Sequence, residues 1–375
     1  MRLSLISVGP PYRGGISDLS ALLYQELSKQ HSLQFINFSR QYPRFLFPGK
    51  TEYKIGNQAA VMATERIIDS INPLSWLKAE KRIATFGSEA VIFRYWNPFF
   101  APLINVISRR LKKRGIQVAV LVDNLIPHEE SLIDAFMANR VLAHADTVFT
   151  MSRAVTADVR KFAPDLHVRT LFHPNYEIYH STLTKDEARH QLGIGNSDPV
   201  IMYFGLIRAY KGLDILIKAL GAIKGQLPGL TTYILGEAYE DATQYGDLIV
   251  SEGVEDQVRF ENRFVPDDEL PRYFAACDVL VLPYRSATQS GIVGIAFQMD
   301  RPVIATLVGG LGEYIDDGTT GYLVPPEDPK ALGQAILKFF AGDQAEPMSR
   351  AVQQQKQKFS ITSFCQQLVE GLAHD

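Results

Sequence analysis

"YFGLIRAYKGLDILIKAL", Tyr203 to Leu220, decides the fold. A short apolar run ends at Phe204-Gly205, a basic loop carries Arg208 and Lys211, and a helix opens near Gly212. Strand, loop and helix in that order are the unit of a parallel sheet covered by helices. The alternation continues in both directions. "PVIMYFG" leads in, and "TTYILG", "VRFENRF", "VLVLPY" and "PVIAT" follow. An earlier series reads "LSLISVG", "SLQFINF", "AVIFRYW", "QVAVLVD", "DTVFTMS" and "VRTLFH". Two such series predict an α/β chain of two Rossmann-like, doubly wound domains facing a central cleft. The polar stretch over 175–198 reads as the linker, which gives an N-terminal domain over 1–180 and a C-terminal domain over 181–352. The amphipathic helix within 353–375 is expected to pack back on the first domain.

Composition narrows the class. A chain of 375 residues that is 46% hydrophobic is large enough for two cores and too apolar for disorder. Cys277 and Cys365 give neither a disulfide framework nor a zinc pattern, and read as small buried residues of a reduced, cytoplasmic protein. "MRLSLISVGP" has one charge, a very short apolar run and then Pro-Pro, so it reads as a first buried strand rather than a signal peptide. No stretch is long and apolar enough to span a bilayer. The net charge of −3 conceals an asymmetry: up to Ser197 there are 24 Lys and Arg against 17 Asp and Glu, and beyond it 14 against 24. A basic front half suits anionic lipid or an anionic acceptor, and equally suits ordinary surface variation. The cations are dispersed without a recognition motif, which argues against nucleic acid.

The second series resembles the GT-B glycosyltransferases of the large retaining family called family 4. The resemblance is carried by "FGLIRAYKGLDILIKAL", "YILGE", "RFVPDDELPRYFAACDVLVLPY" and "SGIVGIAFQMDRPVIATLVGGLGEYIDDGTTGYLVPPEDPKAL", in that order. "GPPYRGGISDLSALLYQEL" and "VDNLIPHE" match the first half more loosely. The resemblance implies transfer of a sugar from a nucleotide-diphosphate donor to a glycan or lipid-linked acceptor, in making a cell-surface polysaccharide or glycolipid. Arg208 and Lys211 then neutralise the donor diphosphate, the first as a fork and the second as a point charge. Gly205, Gln289, Ser290, Gly291 and Ile292 would lie against the donor, and Phe264 and Val265, where a strand is expected to end, against the nucleobase. Gly14 and Gly15 match the family's glycine loop, and "GPPYRGG" lacks the spacing of a dinucleotide site. His128 aligns with a histidine set beside the donor sugar, with Asp123 and Asn124 on the acceptor side.

One departure is plain. The family carries two glutamates eight residues apart. Aligned on Gly291 those positions hold Thr288 and Ala296, and aligned on "PVIAT" they hold Ala287 and Ile295. Three readings stay open on this ground: an active variant branch, a catalytically inactive subunit that binds a partner or glycan, and a GT-B nucleotide-sugar epimerase or hydrolase. No D-x-D motif is present, so no metal and no other cofactor is expected. "SRQYPRFLFPGKTEYK" mixes cations with aromatics, so Arg40 to Lys54 is a candidate peripheral contact with the inner face of a membrane, or a packed loop. "RRLKKRG", Arg109 to Gly115, reads as a solvated helix end followed by a glycine cap.

Overall fold

The structure, a computed structural model, describes residues 1–43, 52–54, 64–125, 132–342 and 344–373. The chain divides into two compact units, Met1–Pro174 with Ile361–Asp375, and Asn175–Ser360.

In the first unit β1 (Arg2–Ile6), β2 (Ser32–Arg40), β3 (Thr64–Asp69), β4 (Ala90–Tyr95), β5 (Gln117–Val122), β6 (Thr147–Thr150) and β7 (His167–Thr170) make one sheet. Its order is β3-β2-β1-β4-β5-β6-β7, and every neighbouring pair is parallel. All six residues of β4 are buried, as a central strand covered on both faces requires. Helices α1 (Gly15–Leu27), α2 (Pro73–Phe86), α3 (Ala101–Lys112), α4 (Leu132–Leu142) and α5 (Arg153–Phe162) supply the crossovers. Strand β3 is missing from the sequence reading. Its "TERIID" has little apolar pattern because it is an edge strand, with only Ile68 fully enclosed.

In the second unit β8 (Val200–Phe204), β9 (Thr231–Leu235), β10 (Val258–Glu261), β11 (Val279–Leu282), β12 (Val303–Thr306) and β13 (Gly321–Val324) form a parallel sheet. The order is β10-β9-β8-β11-β12-β13. Its helices are α6 (Lys185–Leu192), α7 (Leu213–Ala222), α8 (Thr243–Glu252), α9 (Leu270–Ala276), α10 (Gly291–Gln298), α11 (Pro329–Ala341) and α12 (Ala345–Gln355). The winding reverses between β8 and β11, and in the first unit between β1 and β4. At such a point the loops leaving two neighbouring strands part to opposite faces and open a crevice at their carboxyl ends. That places the loops after β8 and β11 together.

Two boundaries differ from the sequence reading. Residues 175–198 belong to the second unit rather than to a linker. Thr184 and Glu187 form a capping box that starts α6, and the buried Arg189 of that helix donates to Asp278 at 3.1 and 2.9 Å and to the Ala276 carbonyl at 3.1 Å. The return to the first unit falls at 360/361 instead of 352/353. Lys356 is held in the second unit by Asp300 at 2.5 Å, whereas α13 (Ile361–Leu372) packs on α1, with Thr362 donating to Glu26 at 2.8 Å. Cys277 and Cys365 are free and buried. Among the described residues no helix is long and apolar enough to cross a membrane.

Candidate functional site

At the carboxyl end of β8 the chain turns at Gly205, φ 127°. A Cβ there would lie 2.6 Å from Ile292 Cδ1 and 3.0 Å from Lys211 Nζ. Glycine thus lets the backbone pass close to both the ammonium and the first turn of α10. Ala209–Lys211 make one 3-10 turn, and Gly212, φ 65°, releases the chain into α7. A side chain at Gly212 would meet the Pro283 carbonyl at 2.0 Å, so the loop after β8 closes against the loop after β11.

Lys211 is buried, with Nζ 5.4 Å from the Tyr284 ring centroid. Burial, reinforced by the charge of Arg208, pushes its ammonium down to about 8. Arg208 is exposed, its guanidinium 5.1 Å from the Tyr239 ring centroid. Neither cation pairs with a described carboxylate. Their neighbour Arg285 shows the contrast. It donates to Asp214 at 2.8 and 2.7 Å, to Glu327 at 2.7 Å and to the Ala209 carbonyl at 2.7 Å. Arg285 is neutralised, while Arg208 and Lys211 keep their charge for something else.

Ser290 precedes α10 as its N-cap residue, but its side chain makes no capping bond. Its hydroxyl lies 3.5 Å from that of Tyr284, which ties the helix start to the ring beside Lys211. The first-turn N–H groups of a helix, here those of Gly291 and Ile292, have no partner within it. Gln289 is half-buried in the preceding loop. That loop is fixed from below: Gly310 N donates to the Thr288 carbonyl at 3.1 Å, and a Cβ on Gly309, φ 48°, would fall 1.5 Å from the Ala287 carbonyl. Glycine is therefore required at 309 by close approach as well as by φ. Ala296 is fully enclosed and Ile295 nearly so, and no carboxylate stands at either alternative pair of positions.

Phe264 and Val265 do not end a strand. β10 stops at Glu261, because Arg263 turns back to pair with Glu261 and Glu269, both at 2.7 Å, and Pro266 has no N–H for a ladder. Val265 is buried and Phe264 half-buried in the loop before α9.

In the first unit Gly14, φ 105°, and Gly15 are exposed at the start of α1. Asp123 turns inward. Its carboxylate accepts from Nε and Nη2 of the buried Arg94 guanidinium, whose Nη1 donates to the Ile16 carbonyl at 2.8 Å and the Ser20 hydroxyl at 3.0 Å. The pair bolts α1 to β4 and β5, with burial pushing the Asp123 carboxyl up and Arg94 opposing it. Asn124 follows, its Oδ1 buried without a described partner. His173, beyond β7, is buried beside Arg94 and pushed down to about 4, mainly by burial. His128 lies outside the described residues, as do residues 44–51 of the Arg40 to Lys54 segment. Of that segment, Glu52–Lys54 is clasped to the glycine loop: Arg13 N donates to the Glu52 carbonyl at 3.0 Å, Lys54 N to the Pro11 carbonyl at 2.9 Å, and Lys54 pairs with Asp18 at 2.6 Å.

Residues 198–341 match the family described as glycosyl transferases group 1. The match falls within the second unit and covers most of it. Curated relatives of the domain include D-inositol 3-phosphate glycosyltransferase of Corynebacterium urealyticum, 29% identical over 57% of this chain and 48% of its own length. That of Salinispora tropica is 31% identical over 46% of this chain and 38% of its own. The chain thus spans about half the length, or less, of these relatives. Among solved structures, the sucrose-phosphate synthase of Thermosynechococcus elongatus superposes with a TM-score of 0.74 at 20% identity, over 99% of this chain and 98% of that one. The Anabaena protein HepE in complex with UDP-glucose gives 0.75 at 19%, over 100% and 99%. Both place the whole chain in the GT-B fold.

Sequence reasoning reached Arg208, Lys211 and the Ser290-Gly291 helix start, and the fold brings Lys211, beside Arg208, close to the first turn of α10. It missed Tyr284 and Tyr239, whose rings flank the two cations, because ring placement leaves no local pattern. Arg94 did leave one, as a charge within the otherwise apolar "AVIFRYW". Among the described residues no group of His, Cys, Asp and Glu is placed to hold a metal ion.

Proposed function

We propose that the chain is a retaining glycosyltransferase of family 4, which moves a sugar from a nucleotide-diphosphate donor to a glycan or lipid-linked acceptor. The observation that carries this reading is the Arg208–Lys211 pair, which makes no ion pair with a described carboxylate where the loop after β8 meets the start of α10. A diphosphate supplies the missing negative charge. Arg208 and Lys211 bind its oxygens, and the Gly291 and Ile292 amides add donors at the positive end of α10. These groups are fixed before reaction, so they stabilise the charge that grows on the leaving diphosphate without reorganising. The acceptor hydroxyl attacks from the face the diphosphate leaves, and the departing phosphate takes its proton. In this reading the two cations do the work often given to a metal ion, and activity persists in chelator.

The replacement of both expected glutamates favours a second reading, a subunit that binds a partner or glycan without transfer. A screen of nucleotide-diphosphate sugars, for binding and for acceptor-dependent release of the diphosphate, separates the two. Binding with acceptor-dependent release is expected. No binding to any donor would favour the inactive subunit, and release without acceptor a hydrolase.

A further inference from the structure

Helix α2 carries a face that the described residues of the first unit do not cover. Asn72 caps its start, accepting from Leu74 N at 3.1 Å, and Pro73 fixes the first turn. The helix buries Trp76, Ala79 and Ile83 on one side. On the other, Leu74 is 75% exposed and Leu77 38%, with Ile71 just before the helix at 49%. Residues at 74, 77, 78 and 81 share that side, so the leucines run directly into Lys78 and Lys81. Scattered exposed apolar residues are ordinary, but three in a row at one helix end are a patch.

The neighbouring α3 extends the basic part. Its end carries Arg109, Arg110 and Lys112, followed by Lys113 and Arg114, all exposed. Arg110 and Arg114 reach across to the buried Glu80 of α2, at 3.3 and 2.5 Å, and stay half in solvent. Lys112 pairs with Asp146, and Arg82 with Glu65, both at 2.7 Å. Lys78, Lys81, Arg109 and Lys113 pair with no described carboxylate. The surface is therefore strongly positive, with an apolar tip.

We infer that the α2–α3 face docks this protein on an anionic lipid bilayer, with Ile71, Leu74 and Leu77 entering the headgroup boundary and the cations meeting lipid phosphates. A basic amphipathic helix with leucines on one flank has the chemistry of an interfacial helix. A soluble polyanion would use the cations and leave the leucines in water, so the bilayer accounts for both halves of the surface. The inference does not depend on the proposed transfer reaction, since lipid binding is read without any donor.

The test is co-sedimentation of the full chain with phosphatidylcholine vesicles, with and without phosphatidylglycerol. Binding should need phosphatidylglycerol and fall as salt rises. Leu74→Asp and Leu77→Asp should each lower partitioning about tenfold, and Lys78→Gln, Lys81→Gln and Lys113→Gln each about fivefold. Val250→Asp, a 62% exposed position on α8 of the second unit, should leave it unchanged. All six sites are exposed, and melting curves check that each variant folds. Failure of the native chain to sediment, equal binding to vesicles without phosphatidylglycerol, or native binding by the leucine variants would overturn the inference. Binding to heparin with none to vesicles would do the same.

Discussion

In the first unit Arg94 lies on β4 beside the switch point, its guanidinium spent on Asp123, the Ile16 carbonyl and Ser20. In the second unit Lys211 lies just beyond β8 beside the other switch point, also buried, facing a tyrosine ring and no described carboxylate. The two sheets have the same winding, yet one crevice is closed by its own ion pair and the other keeps a charge uncompensated. A buried ammonium without a counter-ion costs free energy, so its retention points to a ligand that supplies the anion. The Arg94–Asp123 pair points the other way. It is a structural bolt at a place where the same architecture could have held a ligand.

The largest effect should come from breaking that bolt. Asp123→Ala leaves Arg94 charged and buried without its partner, which should destabilise the first unit by about 3–5 kcal/mol. Denaturant unfolding measures it, and a loss within experimental scatter would put Asp123 among ligand-binding groups instead. A smaller effect sharpens the other side of the comparison. Lys211 is pushed down to about 8, so in the free protein its charge is lost as pH rises through that value. Affinity for a diphosphate should then fall above pH 8 by up to about tenfold per unit, since one unit of protonation free energy is 1.36 kcal/mol. Lys211→Arg keeps its charge throughout and should bind evenly across the same range. A flat profile for the native chain would mean that Lys211 does not face the phosphates.

How much of this was legible follows from what each feature depends on. The central strands are continuous apolar runs because both faces are covered, so they stand out in the sequence. β3 does not, because an edge strand can afford "TERIID". The Arg208–Lys211 loop was legible because the glycines and the following helix fix its place. The roles of Asp123 and Arg285 were not, since an acidic or basic residue after a strand looks the same whether it faces a ligand or a partner dozens of residues away. The end of β10 was misplaced for a similar reason: the pairing of Arg263 with Glu261 and Glu269 is a turn contact without an apolar pattern.

Lys211→Met tests the central claim most directly, with donor affinity and thermal stability measured on the same sample. The side chain keeps its apolar stem and loses a buried charge whose native state is penalised. The account predicts that affinity for a nucleotide-diphosphate sugar falls on the order of tenfold to a hundredfold, while the melting temperature holds or rises. Unchanged affinity together with a lower melting temperature would contradict it, and would make Lys211 a structural residue like Arg94.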